Sequence, residues 1–420
     1  MRQLEVRLHG RIVGRIIETR KGGRFAYAPE IAAQRSGLPV LSLSMPAKSR
    51  PFGESKTSSW FEGLLPEGQR RDDICRSLGV SPYDWIGLLS EIGWECAGAV
   101  QVFPEGSAAC HVGGYRKVGV SNLAEKLSSA VAHLPHPGGE TFRISLGGFQ
   151  DKVCVAMPRI GERPHVLPDG IAFPEGDAPS THILKPESPD YPGSAEAEAW
   201  ALKAASHAAR CSKAALLKLD GAPNTVVVER FDRRGSYPGK IERLHQEDAC
   251  QALGIPPSRK YATEYAAKGD DPAYRAIADL LARYSVNPQE ELLELLRQMV
   301  VNVVIGNWDA HAKNISLLYE DGSAPCVSPL YDVLPIDAIE PRTWLLSLRI
   351  DGRLDPGGIT ASSLLSEAVT WGLDEDACRS EIADCLSDIK RGIMTAAEAY
   401  PNAAARYEGR VMERIGRLGG

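Results

Sequence analysis

The sequence is poor in the devices that staple or anchor a chain outside the cytosol. Its nine cysteines (Cys75, Cys96, Cys110, Cys154, Cys211, Cys250, Cys326, Cys378 and Cys385) are scattered, odd in number and include no C-x-x-C pair. That spacing argues against a disulfide framework or a zinc site and for reduced thiols. No apolar run approaches the roughly 20 residues of a membrane span. The N-terminus alternates apolar and polar residues instead of setting a basic segment before an apolar one, so no signal peptide is expected and the location expected is cytoplasmic. Internal repeats and low-complexity segments are missing too, and the nine histidines are dispersed. A formal net charge of −6 disfavours non-specific nucleic-acid binding by the whole surface, leaving only a local basic patch open.

What is present is ordinary globular material. The 420 residues are 43% hydrophobic and 24% charged, enough for one large two-lobed enzyme or two to three domains. Leu4, Val6 and Leu8 alternate with Glu5, Arg7 and His9, as on a half-buried strand. Helices are expected near Ser59–Leu65 and Pro82–Leu89, and a linker with one short helix over about 104–140. Short strands follow at Phe142–Ser145, Val153–Met157, His182–Lys185 and Thr225–Phe231, with a helix over Ala195–Arg210. Beyond about 240 the pattern turns helical. The clearest helix opens at Asn287, with Pro288 in its first position, Glu290 three residues after the cap, and an apolar stripe of Leu292, Leu293, Leu296, Met299, Val300, Val303 and Val304. The tail over 358–420 also reads as helix.

That helix runs into Gly306-Asn307-Trp308-Asp309-Ala310-His311-Ala312-Lys313-Asn314. Phosphoryl transfer needs phosphates held, charge neutralised and an acceptor hydroxyl oriented. Asp309 and Asn314 have the Asp-x4-Asn spacing of a kinase catalytic loop, where the aspartate is the base and the asparagine binds magnesium. Asp309-x-His311 also fits the metal pair of a phosphohydrolase. Asp332, in Pro329-Leu330-Tyr331-Asp332, suits a second metal-binding aspartate or a turn cap. Lys185, at the end of its strand, is placed to reach phosphates, with Glu198 on the next helix as its ion-pair partner; a solvated strand-end lysine is the plainer alternative. Val228-Glu229-Arg230-Phe231-Asp232-Arg233 reads either as an adenine hinge with Asp232 at the ribose or as an interlobe strand. Leu146-Gly147-Gly148-Phe149-Gln150-Asp151-Lys152 is a glycine-bearing turn able to bring N–H groups to phosphate, although it is neither G-x-G-x-x-G nor a Walker A motif, and a hairpin turn looks the same.

In their order, these segments resemble the HipA family of toxin kinases over most of the chain. Leu41–Pro46, Trp60–Gly68 and Cys96–Val100 resemble the family's N-terminal signatures, and Ile144–Lys152, Thr181–Pro186, Val228–Arg233, Leu244–Gly254, Gly306–Asn314 and Pro329–Asp332 its core. The resemblance implies an α+β, two-lobed, protein-kinase-like fold. A β-rich N-terminal subdomain would span 1–105, the rest of the N-lobe 106–235 and an all-α C-terminal lobe 236–420. It implies ATP and Mg2+ as cofactors, Asp309 as catalytic base, and Asn314 and Asp332 on the metal. Lys185 would contact the phosphates, and Gly147, Gly148, Phe149, Gln150, Asp151 and Lys152 would form the phosphate loop. Glu229, Arg230, Phe231 and Asp232 would line the hinge and ribose site, with His311, Ala312 and Lys313 beside the nucleotide. Ser145 matches the family's autophosphorylated serine, whose modification expels that loop by placing charge beside it. The resemblance further implies a HipB-like helix-turn-helix antitoxin, operator DNA bound through that complex, and an aminoacyl-tRNA synthetase substrate such as the glutamyl enzyme. Arg391, Arg406, Arg410 and Arg414 are candidate DNA-phosphate contacts there, or simply a solvated helix face. Ala197-Glu198, Lys260-Tyr261-Ala262 and Trp308 depart from the family's usual residues without removing a catalytic group. A non-catalytic co-repressor module is the rival reading that remains.

Overall fold

The computed structural model describes residues 1–107, 113–131, 152–160, 170–263, 271–320, 324–340 and 345–419. Ser145, the expected strand Phe142–Ser145 and the loop residues Gly147–Asp151 lie outside the described residues.

The chain opens as an antiparallel sheet of four strands, in the spatial order Gly22–Tyr27, Arg11–Thr19, Gln3–Leu8, Val100–Pro104. Leu4 and Val6 are buried as the alternation requires. Glu5 is buried as well and pairs with Arg7 at 3.0 Å. One face of this sheet is covered by aromatic residues, with Phe25, Phe61 and Trp85 in a shared core. The covering helices are Glu54–Phe61 and Trp85–Ile92, each displaced from the expected range. The second starts late because Asp84 caps it, accepting from the Gly87 N–H at 2.9 Å.

A second antiparallel sheet follows in the order Val153–Val155, His182–Pro186, Thr225–Glu229, Ala214–Leu217. Its central register sets Val226 opposite Lys185 and Val153 opposite Leu184. The β-branched run Thr225–Val228 is buried, as a central strand covered on both faces demands.

Helix Ser194–Ala205 leaves this sheet and enters the largest core, where it meets helix Glu375–Ala399 and helix Pro401–Gly419. Its alanines permit an approach so close that a Cβ on Gly392 would collide with the Ala204 backbone. Trp200 packs on Tyr407 with ring centroids 6.1 Å apart. The expected single apolar stripe on helix Pro288–Ile305 understates its burial, because Leu295, Val301 and Ile305 are enclosed too. The half beyond residue 236 is mainly helical. It is not all-α, however: His245–Asp248, Ser316–Tyr319 and Cys326–Val327 form a three-stranded sheet. These strands are two to four residues long, too short for a period-2 pattern to register.

Candidate active site

Helix Pro288–Ile305 delivers the Gly306–Asn314 loop. At its start, Asn287 Nδ2 reaches Glu290 Oε2 at 3.5 Å, and no side-chain cap to the backbone forms. At its end, Gly306 adopts φ +87°, and any Cβ there would strike Asp337 and Arg414. Arg414 donates to Val304 O at 2.7 Å and Ile305 O at 2.8 Å, and pairs with Asp337 at 2.9 Å. It thereby satisfies carbonyls that the helix terminus leaves open. Arg414 is therefore a helix cap, not the free phosphate contact considered from the sequence. Arg406 donates to Pro192 O at 3.0 Å, Arg391 pairs with Asp388, and Arg410 lies 3.6 Å from Asp337.

The loop folds on itself through short hydrogen bonds. His311 N donates to Asp309 O (2.8 Å), Asn314 N to His311 O (2.8 Å), and Asn314 Nδ2 to Asp309 O (3.1 Å). Asn307 Nδ2 ties the loop back to Asn302 Oδ1 at 2.8 Å. Asp309 and Asn314 are thus held on one turn, with the Asp309 carboxylate accepting from Tyr261 Oη at 3.0 Å. Ala312 is buried and donates its N–H to Lys260 O.

Across the cleft, Lys185 Nζ lies 2.7 Å from Glu198 Oε1 and 2.6 Å from Asp332 Oδ1. Burial disfavours the charged form of the lysine, but the two carboxylates outweigh it and hold its pKa above the ordinary value. Burial likewise opposes ionisation of Asp332; Lys185 and Lys152 reverse this and hold it well below the usual carboxylate range. Asp332 has φ +58°, a left-handed conformation uncommon outside glycine. Burial and the nearby Lys185 pull Lys152 down to about 8.

These groups line a cleft of about 760 Å3, a volume suited to a cofactor-sized ligand. Lys152, Lys185, Glu229, Arg230, Phe231, Asp232, Asp309, His311, Lys313, Asn314 and Asp332 all border it. Burial forces His311 down to about 3, so its ring is neutral. Phe231 packs against Tyr331 with centroids 5.3 Å apart.

Two expected nucleotide contacts have other commitments. The Lys313 ammonium lies 2.9 Å from Gly63 O, 3.0 Å from Glu67 Oε1 and 3.7 Å from Asp248. It joins the Gly306–Asn314 loop to the N-terminal unit while bordering the cleft. Asp232 is 2% exposed and accepts from Arg230 Nε (2.9 Å) and Nη2 (2.8 Å) and from Gly98 N (2.6 Å). It is first the acceptor of a buried ion network, and any ribose contact is added to those bonds. Glu95 is the network's second anion, taking Arg230, Arg233 and Arg243 at 2.9, 3.1 and 2.7 Å.

Glu67 is one cleft residue to which the sequence assigns no site role. It binds Lys313 at 3.0 Å and Lys260 at 2.9 Å. Burial would raise its pKa, but the two lysines drive it down to about 2. In the sequence it stands out only as part of the segment Trp60–Gly68.

Asn314 and Asp332 each carry an oxygen donor, one amide and one carboxylate, on the wall of the cleft. Magnesium is commonly held by one or two carboxylates together with substrate phosphates, so this donor pair suits it better than a closed protein cage would. Among the described residues, no group of three or more His, Cys, Asp or Glu side chains is gathered for a metal.

Comparison with known proteins matches the HipA N-terminal domain over residues 4–103 and the HipA-like C-terminal domain over residues 144–393. The chain belongs to the HipA family. This HipA-family chain is 34% identical over 409 residues to the protein Y4mE of Sinorhizobium fredii, covering 94% of this chain and 91% of that one. It is 28% identical over 399 residues to the serine/threonine-protein kinase toxin HipA of Shewanella oneidensis, covering 93% and 88%. The solved Shewanella oneidensis MR-1 complex of HipA, HipB and operator DNA contains a chain of the same fold. The TM-score is 0.81 at 24% identity, over 99% of this chain and 97% of that one. The two-lobed HipA-like fold expected from the sequence is the fold observed. Among the described residues, no helix is long and apolar enough to cross a membrane.

Proposed function

We propose that this HipA-family chain is a Mg-ATP-dependent serine/threonine protein kinase, the toxin of a toxin–antitoxin pair. The observation that carries this reading is the Lys185 ammonium clamped between Glu198 and Asp332 at 2.7 and 2.6 Å, facing a loop that holds Asp309 and Asn314. In this reading, residues 1–105, 106–235 and 236–420 serve as N-terminal subdomain, remainder of the N-lobe and C-lobe.

Asp309 is the base: its carboxylate accepts the proton of the acceptor hydroxyl. Lys185 orients phosphate oxygens, and Glu198 fixes the lysine. Lys152 and the preceding residues Gly147–Asp151 supply the phosphate loop. The backbone of Glu229–Phe231 holds the adenine, and the neutral His311 lines the floor. Asn314 and Asp332 would hold magnesium, which when bound would supply charge neutralisation for phosphoryl transfer.

Ser145 is the proposed autophosphorylation site, where added charge next to the phosphate loop repels nucleotide. The proposed setting is the cytoplasm. The partners are a HipB-like antitoxin, operator DNA through that antitoxin, and a translation factor of the aminoacyl-tRNA synthetase class as acceptor. The likeness to a kinase toxin and to a HipA–HipB–operator complex supports this part.

The test is phosphoproteomics after brief induction in cells lacking the antitoxin, with Asp309→Gln as control. A phosphosite on a translation factor, present with the wild type only, is the expected result. Identical phosphoproteomes in the two strains would remove the reading.

A further inference from the structure

We infer that Tyr261 is a positioning residue for Asp309, an inference that rests on the kinase reading above. Tyr261 Oη donates to Asp309 Oδ1 at 3.0 Å. Both the ring and its flanking backbone are held in place. Its ring stands edge-on to His311 at 5.1 Å, and Lys260 Nζ lies 5.4 Å from the ring centroid. The backbone before it accepts from the loop, Ala312 N to Lys260 O at 3.1 Å. The backbone after it is bound to a second support, Ala262 N to Ser347 O at 2.8 Å, and Ser347 in turn gives both its N–H and its hydroxyl to Trp308 O at 3.1 and 2.7 Å. Residues 260–262 therefore brace the catalytic loop at positions 308, 309, 311 and 312.

A general base works only when its oxygen stands within hydrogen-bond reach of the proton it removes. Aspartate has two torsions to fix, and Asn314 Nδ2 secures only the Asp309 main chain, at 3.1 Å. The Tyr261 hydroxyl secures the carboxylate itself. Tyr261 is 38% exposed and borders the cleft. The hydroxyl holds one carboxylate oxygen and thereby sets the direction of the other. Tyr261 transfers no proton to substrate and is not a catalytic residue in this scheme.

The test compares wild type, Tyr261→Phe, Tyr261→Ala and Asp309→Gln as full-length chains, measuring incorporation of labelled γ-phosphate into the chain itself over a range of Mg-ATP. Tyr261→Phe keeps the ring and its packing. It is expected to lower the rate at saturating ATP about tenfold, the worth of one charge-assisted hydrogen bond, with half-saturating ATP changed by less than about twofold. A wild-type rate in Tyr261→Phe overturns the inference, and loss confined to Tyr261→Ala would assign the ring to packing alone. A faster Tyr261→Phe also overturns it, because the hydroxyl would then be an obstacle to the acceptor. If Asp309→Gln equals the wild type, it is the kinase reading that fails, and the inference falls with it.

Discussion

Lys185 Nζ and Asp332 Oδ1 stand 2.6 Å apart, joining the central strand of one sheet to the turn that follows the Gly306–Asn314 loop. Glu198 completes the triad at 2.7 Å from a position that is 1% exposed. Replacing Lys185 by Met is expected to reduce phosphoryl transfer by more than about a hundredfold, because it removes the charge proposed to orient phosphate and the clamp on Asp332. It also leaves Glu198 buried without its cation, a loss of about 3–5 kcal/mol in such settings. Urea unfolding separates the two effects. The double variant Lys185→Met/Glu198→Leu should recover stability and remain inactive; recovered activity would show that the lysine acts only on the fold.

Glu67 predicts a pH dependence of stability. Its pKa is lowered from an ordinary 4.5 to about 2 by Lys313 and Lys260 against the opposing effect of burial. A carboxylate with a lowered folded-state pKa contributes stability above the unfolded-state value and loses it as pH falls through the folded-state value. The contribution, roughly 3 kcal/mol, is therefore present above about pH 4.5 and lost between there and pH 2. Thermal or urea unfolding of Glu67→Gln should show lower stability at pH 7 and a flatter dependence across that window. An unchanged slope would contradict the assignment.

Gly306→Ala is expected to destabilise the protein by about 1–3 kcal/mol. The cause is the left-handed φ of +87° together with the Asp337 and Arg414 side chains already filling the Cβ position. Differential scanning calorimetry would register a fall in Tm. The loop that follows begins at this residue, so activity should fall with stability.

Much of this arrangement was legible in the sequence because it is local. Helix Pro288–Ile305 is announced by Pro288 and its apolar residues, and the Asp309 to Asn314 spacing by a single turn. The Lys185–Glu198 pair was readable too, since strand and helix adjoin in the chain. What the sequence concealed is long-range. Glu95 meets Arg230 across 135 residues, Glu67 meets Lys313 across 246, and no periodicity encodes either. Glu95 is buried and Glu67 partly so, and such a charge reads as a solvated surface residue until its partner is known. Helix limits shifted for a related reason: Asp84 rather than Pro82 fixes where helix Trp85–Ile92 starts. Arg414 lay hidden among the arginines of an amphipathic tail, although it caps a helix 109 residues earlier.

The central claim is that Asp309 is the base of an ATP-dependent phosphoryl transfer, and one measurement addresses it most directly. Purified wild type and Asp309→Gln are incubated with Mg-ATP labelled in the γ-phosphate, and transfer to protein is counted beside a thermal unfolding curve of each. The account predicts transfer by the wild type, a loss of at least about a thousandfold in Asp309→Gln, and superimposable unfolding. Undiminished transfer by a folded Asp309→Gln would contradict it.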